Sequence, residues 1–208
     1  MHPDADILSV DPVTGRRTGL AASARRALRA LNRAGVPYAV IGATALAVRG
    51  LPRMTRDLDV VVTTEDAFTA LGALAREGFR SVTPVRRATD PEPMYVLRDT
   101  RGGGAEIDLL VASAEPESTV VTEATAASVF GVRAPVATLE HLVLMYLYSN
   151  QPRHLGDLAR IVTETAVDLA AVGRYLADVH PEMLPVLAER VRLARHPPEP
   201  PRRPRRRP

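Results

Sequence analysis

The run DLDVVVT (57–63) constrains the fold of this chain more than any other stretch, because it joins a strand-like apolar core to two acidic residues. In a strand, residues i and i+2 point to the same face, so Asp57 and Asp59 project together while Leu58 enters the core. Their Cα atoms are expected to lie roughly 6.5 Å apart, from about 3.3 Å per residue. Carboxylates at this spacing either form a solvated strand entrance or converge on one or two cations.

Strand and helix patterns alternate around this run. Helical spacing predicts helices at 20–35, 43–50 and 65–78, and a strand is predicted at 37–42. The predicted strands that follow are 79–84, 94–99 and 105–113, the last two joined by TRGGG as a hairpin turn. Alternation followed by clustered strands predicts an α+β (α/β-like) fold, with a mixed sheet flanked by helices.

Composition changes along the chain and predicts four segments. These are an irregular lead-in at 1–18, a core at 19–114, a mainly helical C-terminal segment at 115–196 and a disordered Pro/Arg tail at 197–208. The tail holds five arginines and one glutamate. The rest of the chain has 22 arginines against 23 acidic residues, a net charge of −1. The basic character is therefore concentrated in the tail. Such a tail either attracts RNA, DNA or an acidic membrane surface, or is a solubilising or inert terminus.

Missing residue types exclude several kinds of chemistry. The sequence has no cysteine, so disulfides, cysteine–zinc sites and thiol catalysis are excluded. All 27 basic residues are arginine, so a P-loop lysine and a lysine Schiff base are excluded too. No signal peptide and no membrane span is predicted, and the expected location is the cytoplasm.

Two further features give the aspartates a chemical context. Asp108 lies between Ile107 and Leu109 in a second apolar strand, where an acid is costly unless it faces solvent, is paired or binds a metal. Gly42 ends a strand and precedes a helix, so backbone N–H groups at this turn can attract phosphate. Together these features predict a metal site beside a phosphate-binding turn, as metal-assisted phosphoryl or nucleotidyl transfer requires.

These three pieces resemble the nucleotidyltransferase fold of the polymerase-beta superfamily. That pattern has a hydrophobic residue, glycine and a small residue, then a spacer, then [DE]-h-[DE]-h and a later h-[DE]-h. Here the pieces are Ile41-Gly42-Ala43, a spacer at 44–56, Asp57-Leu58-Asp59-Val60 and Ile107-Asp108-Leu109. More narrowly, RMTRDLDVVV (53–62) and the helical segment ending in RHLGDLARIV (153–162) resemble the AbiEii/MenT group of bacterial nucleotidyltransferase toxins.

The resemblance implies a role for each matching residue. Asp57, Asp59 and Asp108 are expected to be the catalytic metal ligands, holding one or two Mg²⁺ ions with Mn²⁺ as a substitute. Asp108 is also a candidate general base. An NTP such as ATP is the expected substrate, and its expected binding residues are Gly42, Ala43, Thr44, Arg53, Thr55 and Asp157. The alternative for Asp157 is an ion pair with Arg153 or Arg160.

Two residues depart from the pattern of the group. Ala43 stands where glycine or serine is usual, which keeps the backbone amide and removes any hydroxyl contact. Tyr146 stands where the group usually has a lysine that neutralises triphosphate charge. Arg49, Arg53 and Arg153 are the candidate cations to replace that lysine.

Three functions are consistent with the sequence. The first is a nucleotidyltransferase that moves an NMP to a hydroxyl acceptor, with the tRNA 3′ end as the implied acceptor and an antitoxin protein as the implied partner. The second modifies a small-molecule antibiotic, which the near-neutral body of the chain favours. The third, suggested by Tyr146, binds a nucleotide or a partner with weakened turnover or none.

Overall fold

The computed structural model describes residues 19–82, 93–101, 105–149 and 151–197. The predicted lead-in and the tail beyond residue 197 lie outside these ranges. The strands are β1 Tyr38–Val40, β2 Asp57–Thr63, β3 Phe79–Ser81, β4 Met94–Asp99, β5 Glu106–Ala112, β6 Thr125–Val129 and β7 Val132–Val136. The helices are α1 Leu20–Ala34, α2 Gly42–Val48, α3 Ala67–Arg76, α4 Glu117–Glu123, α5 Leu139–Leu147, α6 Pro152–Glu164, α7 Leu169–Val179 and α8 Leu184–Arg195.

A seven-stranded mixed sheet runs in the order β3-β4-β5-β2-β1-β7-β6. Strands β2 and β5 are parallel, as are β1 and β7, and the other neighbouring pairs are antiparallel. The predicted α+β fold with a mixed sheet is confirmed. Strands β4 and β5 pair as the hairpin prediction requires, although residues 102–104 of the turn lie outside the described part of the chain.

The core forms where the central strands meet helix α1. Leu58 and Val60 of β2 and Ile107 and Leu109 of β5 are completely buried. Helix α1 buries residues at helical spacing on one face, among them three leucines, three alanines and Ser23. The alanines let the helix backbone approach its neighbours closely, and burial of these side chains supplies the main stabilisation. This packing holds β2 and β5 in a single register.

The hairpin of β6 and β7 lies in the segment for which the sequence predicted mainly helix. Its turn consists of Phe130 and Gly131, with φ angles of 48° and 77°, as a two-residue type I′ turn requires. Phenylalanine is rare at positive φ, and Pro135 within β7 cannot donate a hydrogen bond to the sheet. Phe130 and Pro135 therefore weakened the sequence signal for a strand pair that the tertiary structure forms.

The chain divides into two compact units between Met145 and Tyr146. The first unit contains the whole sheet, including the β6–β7 hairpin, so it extends beyond the predicted boundary at 114/115. The second unit contains the end of α5 and helices α6, α7 and α8, with a 3₁₀ turn at Pro181–Met183. Across the described ranges, we found no helix with the length and apolar character needed to cross a membrane.

A buried polar cluster joins α1 to the sheet. Asp99, at the end of β4, is 4% exposed and accepts a hydrogen bond of 2.5 Å from the Ser23 hydroxyl. It also pairs with the Arg26 guanidinium, which lies over the Phe79 ring at 5.1 Å. Burial acts to raise the pKa of Asp99, but the hydrogen bonds from Ser23, the Arg101 backbone and Arg26 outweigh it and leave the pKa lowered.

Asp99→Asn is expected to lower the free energy of unfolding at pH 7 by about 2 kcal/mol, because Ser23 and Arg26 lose a charged partner. The folded-state pKa lies below the unfolded value near 3.9, so the stabilisation is present above that pH and is lost as pH falls through the folded-state pKa. Urea unfolding of the wild type and of Asp99→Asn across about pH 3–7 measures the difference between their free energies of unfolding. Their difference in stability should shrink at the acidic end.

The control is Arg98→Gln, which removes an exposed ion pair with Glu106 from the same strand. Exposed pairs contribute little, so this variant should change stability by less than about 0.5 kcal/mol. An equal effect of the two substitutions would contradict the assigned role of Asp99.

Candidate active site

Three carboxylates meet where the parallel strands β2 and β5 begin. In the sheet register Asp57 lies opposite Glu106, and Asp59 lies directly opposite Asp108. One carboxylate oxygen each from Asp57, Asp59 and Asp108 can be chosen such that all three lie within 4.8 Å of one another. All three residues are partly exposed, so a ligand can reach them from solvent. Two segments separated by almost fifty residues therefore build one acidic site.

Gly42 lies directly against this site. The N–H of Ile41 donates to the Asp59 carbonyl at 3.0 Å, which fixes the turn between β1 and α2 onto β2. Gly42 has a φ of +61°, and a Cβ built on it would lie 2.1 Å from Oδ2 of Asp59. Glycine is therefore needed here for two reasons: the backbone is left-handed, and the Asp59 carboxylate occupies the space of a side chain.

Thr55 holds one of the three carboxylates. Its side chain is 8% exposed, and its hydroxyl donates a short hydrogen bond to Oδ1 of Asp57. The sequence predicted Thr55 as a nucleotide contact, whereas the structure places its hydroxyl on the acid two residues later. A hydrogen bond to a metal-binding carboxylate orients that side chain and restricts its rotamers. The T-x-D spacing thus gives Thr55 a positioning contact with Asp57, and nucleotide binding by Thr55 stays a prediction.

The other residues predicted near the triphosphate occupy distinct environments. Ala43 is completely buried. Thr44 is 1% exposed, and its hydroxyl has no hydrogen-bond partner within the described ranges. Arg53 is half-buried and donates to the Met54 carbonyl at 3.2 Å. Nucleotide binding by these residues stays a prediction.

Arg49 is bound to the β6–β7 hairpin. Its guanidinium donates to the carbonyls of Ala137 and Val136 at 2.9 and 2.7 Å and to the Thr125 hydroxyl at 2.6 Å. Burial lowers the pKa of Arg49, while the charge of Glu140 acts to raise it. With its donors engaged in this way, Arg49 anchors the end of α2 and is poorly suited to replace the missing lysine.

Tyr146 and Asp157 belong to the second compact unit. Tyr146 is 4% exposed, and its ring stacks on His154 with centroids 4.8 Å apart. Asp157 on α6 is 5% exposed. Arg160, one of its predicted partners, pairs with Glu164 at 3.1 Å. The tyrosine therefore has a packing role in its own unit, and nucleotide binding by Asp157 stays a prediction.

The donor set of the acidic site suits a hard divalent cation. Three carboxylates offer only oxygen ligands, which Mg²⁺ and Mn²⁺ prefer and soft metals do not. Without a cation, three carboxylates this close repel one another, and partial exposure reduces that cost only in part. The residues present therefore fit a divalent-cation site formed by Asp57, Asp59 and Asp108.

Gly42→Ala is expected to weaken divalent-metal binding at least about tenfold, because the new Cβ displaces the Asp59 carboxylate. The matched control is Gly35→Ala. Gly35 has nearly the same φ, +66°, but no atom within 4 Å of its Cβ position. Both substitutions place a side chain at positive φ, so each is expected to lower the free energy of unfolding by about 1–2 kcal/mol. Urea unfolding of the two variants measures this cost. Titration with Mn²⁺ should separate them; equal metal affinities would contradict the placement of Gly42 against Asp59.

Comparison with known proteins finds similarity in structure only. No protein-family model and no curated protein matches the sequence. The antibiotic-resistance factor ANT(2'')-Ia aligns with 84% of this chain and 93% of its own, at 17% identity and a TM-score of 0.47. The lincosamide antibiotic adenylyltransferase LnuA aligns with 69% of this chain and 97% of its own, at 12% identity and a TM-score of 0.48. A nucleotidyltransferase-like protein from Paracoccidioides brasiliensis aligns with 80% of this chain and 91% of its own, at 16% identity and a TM-score of 0.45.

Proposed function

We propose that this protein is a Mg²⁺-dependent nucleotidyltransferase that moves an NMP from an NTP to a hydroxyl acceptor. The observation that carries the proposal is the convergence of Asp57, Asp59 and Asp108 beside the Gly42 turn. An acidic oxygen site next to a small-residue turn is the arrangement that a metal-bound triphosphate needs. The resemblance of the sequence to the AbiEii/MenT group supports the same chemistry.

Each residue of the site has a defined role in this proposal. Asp57, Asp59 and Asp108 hold the cation, and Thr55 keeps the Asp57 carboxylate oriented toward it. The Gly42 turn lies against the Asp59 carboxylate, and its backbone N–H groups are the proposed contact with the triphosphate. A bound Mg²⁺ neutralises charge on the phosphate oxygens and aligns the reacting groups.

The transfer exchanges one phosphorus–oxygen bond for another. The acceptor oxygen forms a bond to the α-phosphorus, the bond between that phosphorus and the β-phosphate oxygen breaks, and pyrophosphate leaves. The hydroxyl proton passes to a carboxylate oxygen, and Asp108 is the proposed acceptor of that proton. Asp108 is suited to this role because it projects from a neighbouring strand and is partly exposed.

The proposal has three versions, of which the first two differ in the acceptor. The resemblance to the toxin group favours the tRNA 3′ end, with an antitoxin protein as partner. The near-neutral body of the chain favours a small neutral or cationic acceptor such as an antibiotic. A third version, nucleotide binding without turnover, is favoured by Tyr146, which is buried and uncharged where a lysine is usual.

The first test is transfer of label from each α-labelled NTP, with Mg²⁺, to total RNA or to a panel of aminoglycosides and lincosamides. Asp57→Asn is expected to lower the rate at least a hundredfold, because the loss of one ligand removes several kcal/mol of transition-state stabilisation. The control is Glu106→Gln, which changes the acid opposite Asp57 in the sheet but outside the triad. Binding of Mg²⁺–NTP without product from any acceptor would support the non-enzymatic version, and transfer unaffected by Asp57→Asn would contradict the proposed site.

The second test concerns Thr55. Thr55→Val removes the hydrogen bond to Asp57 at nearly constant volume and is expected to raise the Mg²⁺ concentration for half-maximal activity about tenfold. Thr55→Ser keeps the hydroxyl and should restore the wild-type metal dependence. If Thr55 instead contacts the nucleotide, Thr55→Val will raise the KM for the NTP and leave the metal dependence unchanged.

A further inference from the structure

The folded body is nearly neutral in total, but its charges are not evenly distributed. Arginines gather on α1, at the end of α3, on β3 and after β4. We call this set the arginine surface; its members are Arg25, Arg29, Arg33, Arg76, Arg80 and Arg101. All six are exposed. A basic face can therefore exist on this chain although its net charge gives no sign of one.

Ion pairs and hydrogen bonds around the end of α3 connect part of the arginine surface. The Glu77 carboxylate pairs with Arg33 at 2.6 Å and with Arg101 at 3.5 Å. Arg101 also donates to the Arg76 carbonyl at 3.0 Å, and Arg80 donates to the Ala75 carbonyl at 3.1 Å. Within the described ranges, Glu77, whose side chain is 25% exposed, is the carboxylate with which Arg33 and Arg101 pair. The cluster around it keeps an excess of positive charge.

The rest of the surface is a row along α1. Arg25, Arg29 and Arg33 recur every fourth residue, so they lie on one exposed helical stripe about 12 Å long at 1.5 Å per residue. Neither Arg25 nor Arg29 pairs with a carboxylate in the part of the chain that the structure describes. Like charges at this spacing destabilise a helix. Repulsion within this row therefore lowers the stability of the helix, and a bound anion would reduce that repulsion.

We propose that the arginine surface binds the phosphate backbone of a nucleic acid. Guanidinium groups match phosphate oxygens in pairs, and several of them side by side fit a chain of phosphates. The stripe on α1 exposes no large apolar side chain, which a protein partner would need as an anchor. A nucleic acid fits this stripe better than an acidic protein does.

The arginines of α1 lie on the opposite side of the sheet from the acidic site. Helix α1 packs on the side of the sheet that carries Asp99, whereas Asp108 points to the other side, because Ile107 pairs with Leu97 and neighbouring residues alternate. The α1 part of the arginine surface therefore contacts a nucleic acid away from the acidic site, whereas Arg80, opposite Arg98 in the register, lies on the Asp108 side of the sheet. Binding there needs neither NTP nor metal, so it can be tested separately from the proposed transfer reaction.

The experiment measures binding of the full-length chain to a labelled single-stranded RNA at several salt concentrations, with EDTA and without NTP. The double variant Arg25→Gln/Arg29→Gln removes two phosphate contacts. It should weaken binding at least about tenfold and reduce the slope of log K against log[salt] by roughly 1.4, at about 0.7 per contact. The double variant Arg25→Lys/Arg29→Lys keeps the charge and should retain the slope.

The matched control is Arg174→Gln/Arg195→Gln, which makes the same change in net charge on exposed residues of the second unit. It should leave the affinity close to that of the wild type. The proposal is overturned if both glutamine variants weaken RNA binding equally, since the effect is then one of net charge. It is also overturned if the chain binds poly-glutamate through Arg25 and Arg29 and does not bind RNA, since the partner is then an acidic protein.

Discussion

The parallel pairing of β2 with β5 is the constraint on which the candidate site depends. It sets Asp59 opposite Asp108 and leaves Asp57 one step along the same face. A slip of one residue in that register would turn one set of acids into the core, where a charge is costly, and would expose Leu58 or Ile107. The apolar alternation on both strands thus selects the arrangement that gathers the carboxylates.

A second constraint is the contact between the turn and the acid. The hydrogen bond from the Ile41 N–H to the Asp59 carbonyl holds the turn in place, and the missing side chain of Gly42 leaves room for the Asp59 carboxylate. The glycine of the motif is thus part of the acidic site. The Thr55 hydroxyl orients Asp57 through a hydrogen bond to its Oδ1. Two small details of packing, rather than the acids alone, define the geometry.

Much of the first unit follows from local patterns. The helix at 20–34, the strand at 57–63 and the hairpin pairing of β4 with β5 all appear where periodicity predicts them, because these segments bury one regular face. The β6–β7 hairpin was not predicted, since Phe130 takes a positive φ and Pro135 lies inside a strand. Its neighbours in the sheet, and the hydrogen bonds from Arg49, stabilise a hairpin whose own sequence signals are weak.

The sequence by itself determined the acids, the glycine and the fold class, because residue spacing decides which side chains share a face of a strand or helix. Only the tertiary structure decided which groups each residue meets. It joined Asp108 to Asp57 and Asp59, placed the Thr55 hydroxyl on Asp57, and packed Tyr146 against His154. It also placed Arg25, Arg29 and Arg33 on the side of the sheet opposite Asp108, a segregation that a net charge cannot show. The physical reason is that periodicity is a property of neighbours along the chain, while charge, contact and burial at a site arise between segments that only folding brings together.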